Sequence, residues 1–334
     1  MPGVRFCTSS GWATSPISPS GPIGRRGRVR RRREPGFDSY RRSAVALLIP
    51  AASFVPHSRN MPDTAHPPVR AEGVSPGYWR VTFDNAPFNL YDPELEAALA
   101  DIVGRLEADP DVKVVVFDSA LPDFFMAHLN LGRFGEFGDG MPVWFDIVSR
   151  LGQARFISVG SIRGRARGIG NEFLTALDVR FASRENAVLG QLEIGSGIIP
   201  GCGGIERLWR LTGRARALEI IASGEDYDAD TAERYGWINR AVPDSELDAF
   251  VARFARRVAS FDIEALQVIK QVLNDEIPPP SRQSLAATHT RFARLLARQS
   301  VQEGFQQAAK LSPQAAFDLE LNMGERIGPR TSGP

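Results

Sequence analysis

The stretch RGRARGIGNEFLTALDVRFAS, residues 163–183, decides the fold. Gly164, Gly168 and Gly170 mark a turn, NEFLTALD reads as a helix and VRFA at 179–182 as a strand. Just before it, FISVGSI at 156–162 is an apolar run, as in a strand covered on both faces. Strand, glycine turn, helix and strand in that order predict an α/β arrangement.

The alternation extends both ways. Upstream, RVTFD at 80–84 alternates as a strand does and NAPFNLYDP at 85–93 is a loop. Asp92 and Pro93 suit an N-cap and a first helical residue. Leu95, Leu99, Ile102 and Leu106 then share one helical face, and Asp109-Pro110 ends that helix. KVVVFDS at 113–119 reads as a buried strand, FFMA at 124–127 as a short strand, and a helix follows near 142–152. Downstream, AVLG at 187–190 is a strand, 204–213 and 214–223 are helices, and WINRAVP at 237–243 is the last strand. From about 244 the pattern is helical, and no fixed-period repeat is present.

The 334 residues are 43% hydrophobic and 24% charged, ordinary values for a globular chain. Cys7 and Cys202 are the only cysteines, which excludes a disulfide framework and suits a reducing, cytoplasmic setting. His57, His66, His128 and His289 lack metal-ligand spacing, so no metal is expected. The net charge of +1 hides an asymmetry: residues 1–60 hold 11 Arg against Glu34 and Asp38, and the remainder is acidic. A Ser/Pro/Gly/Arg-rich run of that kind cannot bury apolar area and is expected to be disordered. YRRSAVALLIPAASFV at 40–55 is too short to cross a membrane, and no A-x-A site follows it. Met61 is the expected start of the mature chain. A nucleic-acid arm at 25–33 would rest on charge alone. The expected organisation is a basic extension over 1–60, an α/β core over 61–260 and a helical region over 261–334.

Two carboxylates stand out by position. Glu172 follows the glycine turn in the first turn of a helix, where it is either a reacting group or simply favoured by free amides and the helix dipole. Glu193 lies in GQLEIGSGIIPGCGG at 190–204, among isoleucines and glycines. Held in apolar surroundings, it is a candidate acid or base; turned outward at a strand end, it is neither. Gly168 and Gly170 flank Ile169 at a turn able to aim backbone N–H groups at a ligand. Neither a phosphate-binding G-x-x-x-x-G-K-[ST] nor a clean G-x-G-x-x-G is present.

Taken together, these elements resemble the enoyl-CoA hydratase/isomerase (crotonase) family from about Arg80 to Lys270. NAPFNLYD at 85–92 looks like its N-P-x-x-N-A-L loop, and FFMAHLNL at 124–131 looks like its F-x-A-G-x-D-L. The segments 163–183, 189–213 and 227–243 match its glutamate, proline-glycine and G-L-V motifs in order and spacing. The resemblance implies a spiral of ββα units with a C-terminal helical trimerisation region, assembling as a homotrimer or hexamer. It implies an acyl-CoA substrate, with CoA arriving as part of that substrate and no separate cofactor. Nucleic acid and membrane are not implied as partners.

In residue terms, the resemblance makes the Leu129 and Ile169 amides the pair that holds the thioester oxygen. It makes Glu172 and Glu193 the pair that holds water, one assisting attack at C3 and the other protonating C2. Phe88, Leu90, Ala127 and Asn130 would line the substrate, and the Gly201 amide would position the water. Isomerases of the family keep only the second glutamate, so the retained pair points to hydration. An isomerase, another acyl-CoA enzyme and a non-catalytic CoA-ester binder are the alternatives. Four residues depart from the pattern: His128 replaces a glycine, Asn130 an aspartate, Ile169 a glycine and Leu192 a proline. His128 is either an added polar group of the pocket or a structural one, and Ile169 would be strained if its position needed positive φ. Arg165 and Arg167 are candidates to meet CoA phosphates.

Overall fold

A computed structural model describes residues 66–326. The 1–60 extension, with its expected disorder, lies outside the described residues. The strands are β1 (Val69–Ser75), β2 (Tyr78–Phe83), β3 (Val114–Ser119), β4 (Phe124–Met126) and β5 (Ile157–Ile162). They continue as β6 (Arg165–Arg167), β7 (Val179–Ser183), β8 (Val188–Gly190), β9 (Asp226–Asp228) and β10 (Arg240–Val242). One sheet has the order β1-β2-β3-β5-β7-β10 and the other β4-β6-β8-β9. Only β1–β2 and β8–β9 pair antiparallel. From β3 to β8, successive strands alternate between the two sheets.

The apolar run of β3 serves two cores, as a strand covered on both faces must. Val115 and Phe117 cluster with Val81, Phe83 and the Leu95, Leu99 and Ile102 face of the helix Pro93–Ala108. Val114 and Val116 cluster with Leu247, Val251 and Ala255 of the helix Asp244–Ala259. Each such side chain contributes about 1.5–3 kcal/mol by leaving water. The Asp92 carboxylate accepts from Leu95 N at 3.0 Å, capping its helix as its sequence position predicts.

The last strand is shorter than WINRAVP suggests. Trp237 and Ile238 donate their N–H groups to the Ala232 carbonyl, closing off the helix Ala229–Tyr235 through Gly236 at φ +77. Only Arg240–Val242 then pairs, alongside β7. The helix after Gly168 is also short, Ile169–Leu174, with Thr175 as its C-cap. Beyond Pro243 the described chain is helical: Asp244–Ala259, Ile263–Glu276, Arg282–Leu296, Gln299–Ala308, Pro313–Leu321 and Met323–Arg326. No helix among the described residues is long and apolar enough to cross a membrane.

Candidate active site

Strand register brings the two glutamates together. β6 and β8 pair in parallel with Arg167 opposite Gly190, and Gly168 N donates to Gly190 O at 3.2 Å. Both strands therefore end at the same level. Five residues past β6 comes Glu172, in the helix Ile169–Leu174; three past β8 comes Glu193, opening a 3-10 turn Glu193–Ser196.

Glu172 is 2% exposed. Its Oε1 accepts from Cys202 N at 2.9 Å and Gly204 N at 2.8 Å. The carboxylate thus sits on the start of a different helix, Gly204–Thr212, rather than on its own amides. A Cβ on Gly204 would come 3.0 Å from Glu172 Oε1, so that glycine leaves room for the carboxylate. Burial, then the charge of Glu193, pushes the Glu172 carboxyl well above the usual range, against the two amides. Burial raises Glu193 as well, against hydrogen bonding and the positive charge of His128. Two carboxyls that both resist ionisation can hold and exchange protons near neutrality, which suits acid–base chemistry.

Glu193 differs from Glu172 in what it leaves open. Gln191 Nε2 donates to its Oε1 at 2.7 Å, whereas its Oε2 is buried and has no hydrogen-bond partner among the described residues. Gln191 is itself fixed: its Oε1 accepts from Asn171 Nδ2 at 2.5 Å, and Asn171 Oδ1 accepts from Trp237 Nε1 at 2.9 Å. This relay was not read from the sequence. Its signal was a glutamine flanked by buried apolar positions two residues before the glutamate.

The turn before Glu172 contacts the 126–130 loop. Positive φ falls on Gly168, at +50, so Ile169 escapes the strained region. A Cβ on Gly170 would collide with the Met126 carbonyl, so only glycine permits this approach. Leu129 N–H and Ile169 N–H donate no hydrogen bond among the described residues. The 126–130 loop is held against Tyr91: Tyr91 N donates to His128 O at 3.0 Å, and Asn130 N to Tyr91 O at 2.9 Å.

The remaining sequence candidates fall around this centre. Phe88 and Ala127 cluster with Phe124, and Leu90 packs on them. Phe317 of the helix Pro313–Leu321 covers that cluster, its ring centroid 5.6 Å from that of Phe88. Asn130 is half-buried and opens the 3-10 segment Leu131–Glu136. Gly201 is buried against the Phe292 ring, which any side chain there would strike. Asn89 was another missed residue. Buried at φ +51, its side chain donates to Ser119 Oγ at 2.8 Å and Phe125 O at 3.0 Å, tying the 85–92 loop to β4.

Arg167 departs from its candidate role at a phosphate. It is 1% exposed, paired with Asp226, and bonded to the Glu320 carbonyl. Arg165 Nε donates to the Leu321 carbonyl at 2.8 Å. Both arginines hold the end of the helix Pro313–Leu321.

Known proteins share this arrangement of sequence and fold. A family model described as enoyl-CoA hydratase/isomerase matches residues 75–315. The short-chain-enoyl-CoA hydratase of Clostridium acetobutylicum is 32% identical over 178 residues, 52% of this chain and 68% of its own. The crotonyl-CoA hydratase of Syntrophomonas wolfei is 27% identical over 234 residues, 67% of this chain and 88% of its own. A solved structure from Streptomyces avermitilis, provisionally designated an enoyl-CoA hydratase, is 39% identical with a TM-score of 0.73, covering 78% of this chain and 96% of that one.

Proposed function

The chain belongs to the enoyl-CoA hydratase/isomerase family, and from that premise we propose that it adds water across the 2,3 double bond of an enoyl-CoA thioester. The thioester oxygen accepts from Leu129 N–H and Ile169 N–H. Water, held between the glutamates with the Gly201 amide, attacks C3 and passes a proton to Glu172. The C2=C3 electron pair moves toward the thioester oxygen as an enolate. C2 then takes the proton carried by Glu193, and the double bond is gone. The pair finishes with one proton moved from Glu193 to Glu172, so atoms and charge balance. Two preorganised amides stabilise the enolate by about 2.7–4 kcal/mol each.

The observation that carries this reading is the buried Glu193 Oε2, without a hydrogen-bond partner among the described residues, in a carboxyl pair with Glu172. A buried carboxyl oxygen without a partner is costly unless a substrate or water completes it. Phe88, Leu90, Ala127 and Asn130 complete the substrate's surroundings, and CoA enters as part of the substrate with no metal or redox group. We read the alternation of strands between the sheets as a spiral of ββα units. We also read the helices after 261 as the surface of a homotrimer or hexamer. A cytoplasmic location rests on the sparse cysteines.

The test mixes the protein with crotonyl-CoA and follows loss of the conjugated enoyl-thioester absorbance. Glu172→Gln and Glu193→Gln should each lower the rate by about 10²–10⁴-fold. Silence of the wild type across short, long, branched and aromatic enoyl-CoAs would sink hydration. Interconversion of 3-enoyl and 2-enoyl esters without hydration would make it an isomerase.

A further inference from the structure

The loop that carries Leu129 is gripped from a distance of 192 residues. His128 Nδ1 lies 2.9 Å from the Leu129 carbonyl oxygen, and His128 Nε2 lies 2.8 Å from Glu320 Oε1. Both ring nitrogens face oxygen acceptors, an arrangement satisfied when both carry protons. Glu320 belongs to the helix Pro313–Leu321, whose own docking is built in several ways. Arg167 and Arg165 hold its last carbonyls, and Phe317 packs on Phe88 and Phe124. The charged groups that face His128 are Glu320 on that helix, Arg167 on β6 and Glu193 after β8. A Cβ built on Gly168 would lie 3.4 Å from His128 Cβ and 3.5 Å from Glu193 Oε1, so Gly168 separates the base of the His128 side chain from the Glu193 carboxyl.

We propose that His128 is a positioning residue for the first oxyanion amide: with Glu320 it clamps the 126–130 loop to the helix Pro313–Leu321 and so fixes the aim of Leu129 N–H. The proposal rests on Leu129 acting as an oxyanion donor. The peptide that supplies that N–H joins His128 to Leu129. Its carbonyl is already held by Tyr91 N at 3.0 Å. The imidazole fixes the next carbonyl along, so two consecutive peptides of the loop are anchored. With a glycine at 128 that second peptide would be held only through its N–H, which Asn130 donates to Tyr91 O at 2.9 Å. Displacing a catalytic group by about 1 Å costs on the order of 100-fold in rate, which sets the value of such a clamp.

The pH range of the clamp follows from its partners. Burial alone would lower the His128 pKa, but the charge and hydrogen bond of Glu320, together with the Leu129 carbonyl, carry it up to about 9. Burial alone would raise Glu320; His128 and Arg167 hold it below the usual carboxylate range. The pair is thus charged on both sides from the ordinary carboxylate range up to about pH 9.

The experiment compares wild-type protein with Glu320→Gln, Glu320→Asp and His128→Gln by amide hydrogen exchange and by steady-state kinetics. In Glu320→Gln and His128→Gln, exchange over 126–131 should quicken about tenfold while the reference helix Gly204–Thr212 is unmoved. With the enoyl-CoA that the wild type hydrates, kcat should fall about 10- to 100-fold with KM nearly constant. Glu320→Asp, which keeps the charge, should recover part of both. Unchanged exchange at 126–131, quickening spread equally over the reference helix, or a rise in KM with kcat intact would each overturn the clamp. A wild type silent toward every enoyl-CoA removes the hydratase reading and leaves exchange alone to decide the clamp.

Discussion

Glu172 and Glu193 place two carboxyls in one enclosure, and their burial works against folding. Both pKa values are raised in the folded state. The folded protein therefore binds protons more tightly than the unfolded chain, and their contribution to stability falls as pH rises above the ordinary carboxylate range. Glu172→Gln removes one of these charges and keeps an oxygen for Cys202 N and Gly204 N. It should raise Tm at about pH 9, by on the order of 2–4 °C for each kcal/mol recovered, and lose the advantage near pH 5. A differential-scanning melt at both pH values decides the matter; equal shifts would mean that burial does not strain the pair. Gly170→Ala tests the opposite kind of constraint. Its methyl meets the Met126 carbonyl, so stability should fall by about 1–3 kcal/mol in urea titration and turnover should fall with it. Glu193 drew notice as a carboxylate among glycines and isoleucines, whereas Glu172 had an ordinary explanation in the free amides of a helix start, and it was the resemblance that made them a pair. Gln191 and Glu320 were not legible. Their roles depend on strand register and on a helix that docks far along the chain, and neither leaves a local pattern.

Elements were legible where an apolar run or period showed. The β3 and β5 runs and the helix Pro93–Ala108 each offered enough residues for a period to show. β6 and β9 have three residues each and carry no period at all. β1, an edge strand with most of its residues exposed, lacks the apolar alternation that marks a strand. The site nevertheless depends on β6, because its pairing with β8 aligns the two glutamates. The helix Pro93–Ala108 contributes from its cap. Asp92 accepts from Leu95 N at 3.0 Å and from Asn85 Nδ2 at 2.9 Å, so one carboxylate both starts the helix and ties down the loop that carries Phe88 and Leu90. Asp92→Ala should cost about 0.5–2 kcal/mol by urea unfolding. It should also raise KM for the acyl-CoA, because the loop loses an anchor. A stability loss with KM unchanged would make Asp92 a cap and nothing more.

Alternating strands and helices followed by helices alone predicted an α/β body with a helical C-terminal part, and the described chain has that plan. What the alternation does not encode is which sheet each strand joins or which faces meet another copy. The helix Ile263–Glu276 bears on the second point. Its inner side is pinned by Lys270, whose Nζ donates to Asp178 Oδ2 at 2.8 Å and to the Leu151 and Phe156 carbonyls. Its outer side presents Val268, Ile269, Val272 and Leu273, each 51–61% exposed, and Ile277 continues the stripe just past its end. A contiguous apolar stripe on a rigidly anchored helix is the surface expected to meet a second copy of the chain. Ile269→Glu with Leu273→Glu replaces burial by two carboxylates. Losing two large side chains removes about 3–6 kcal/mol from each interface, on the order of 10²–10⁴ in the dissociation constant. In sedimentation velocity the double variant should then run as smaller species than the wild type, with circular dichroism unchanged. A wild type that sediments as a monomer would remove the interface altogether, and a double variant that keeps its assembly would remove this helix from it and direct the search to other exposed apolar residues such as Trp209 and Leu218.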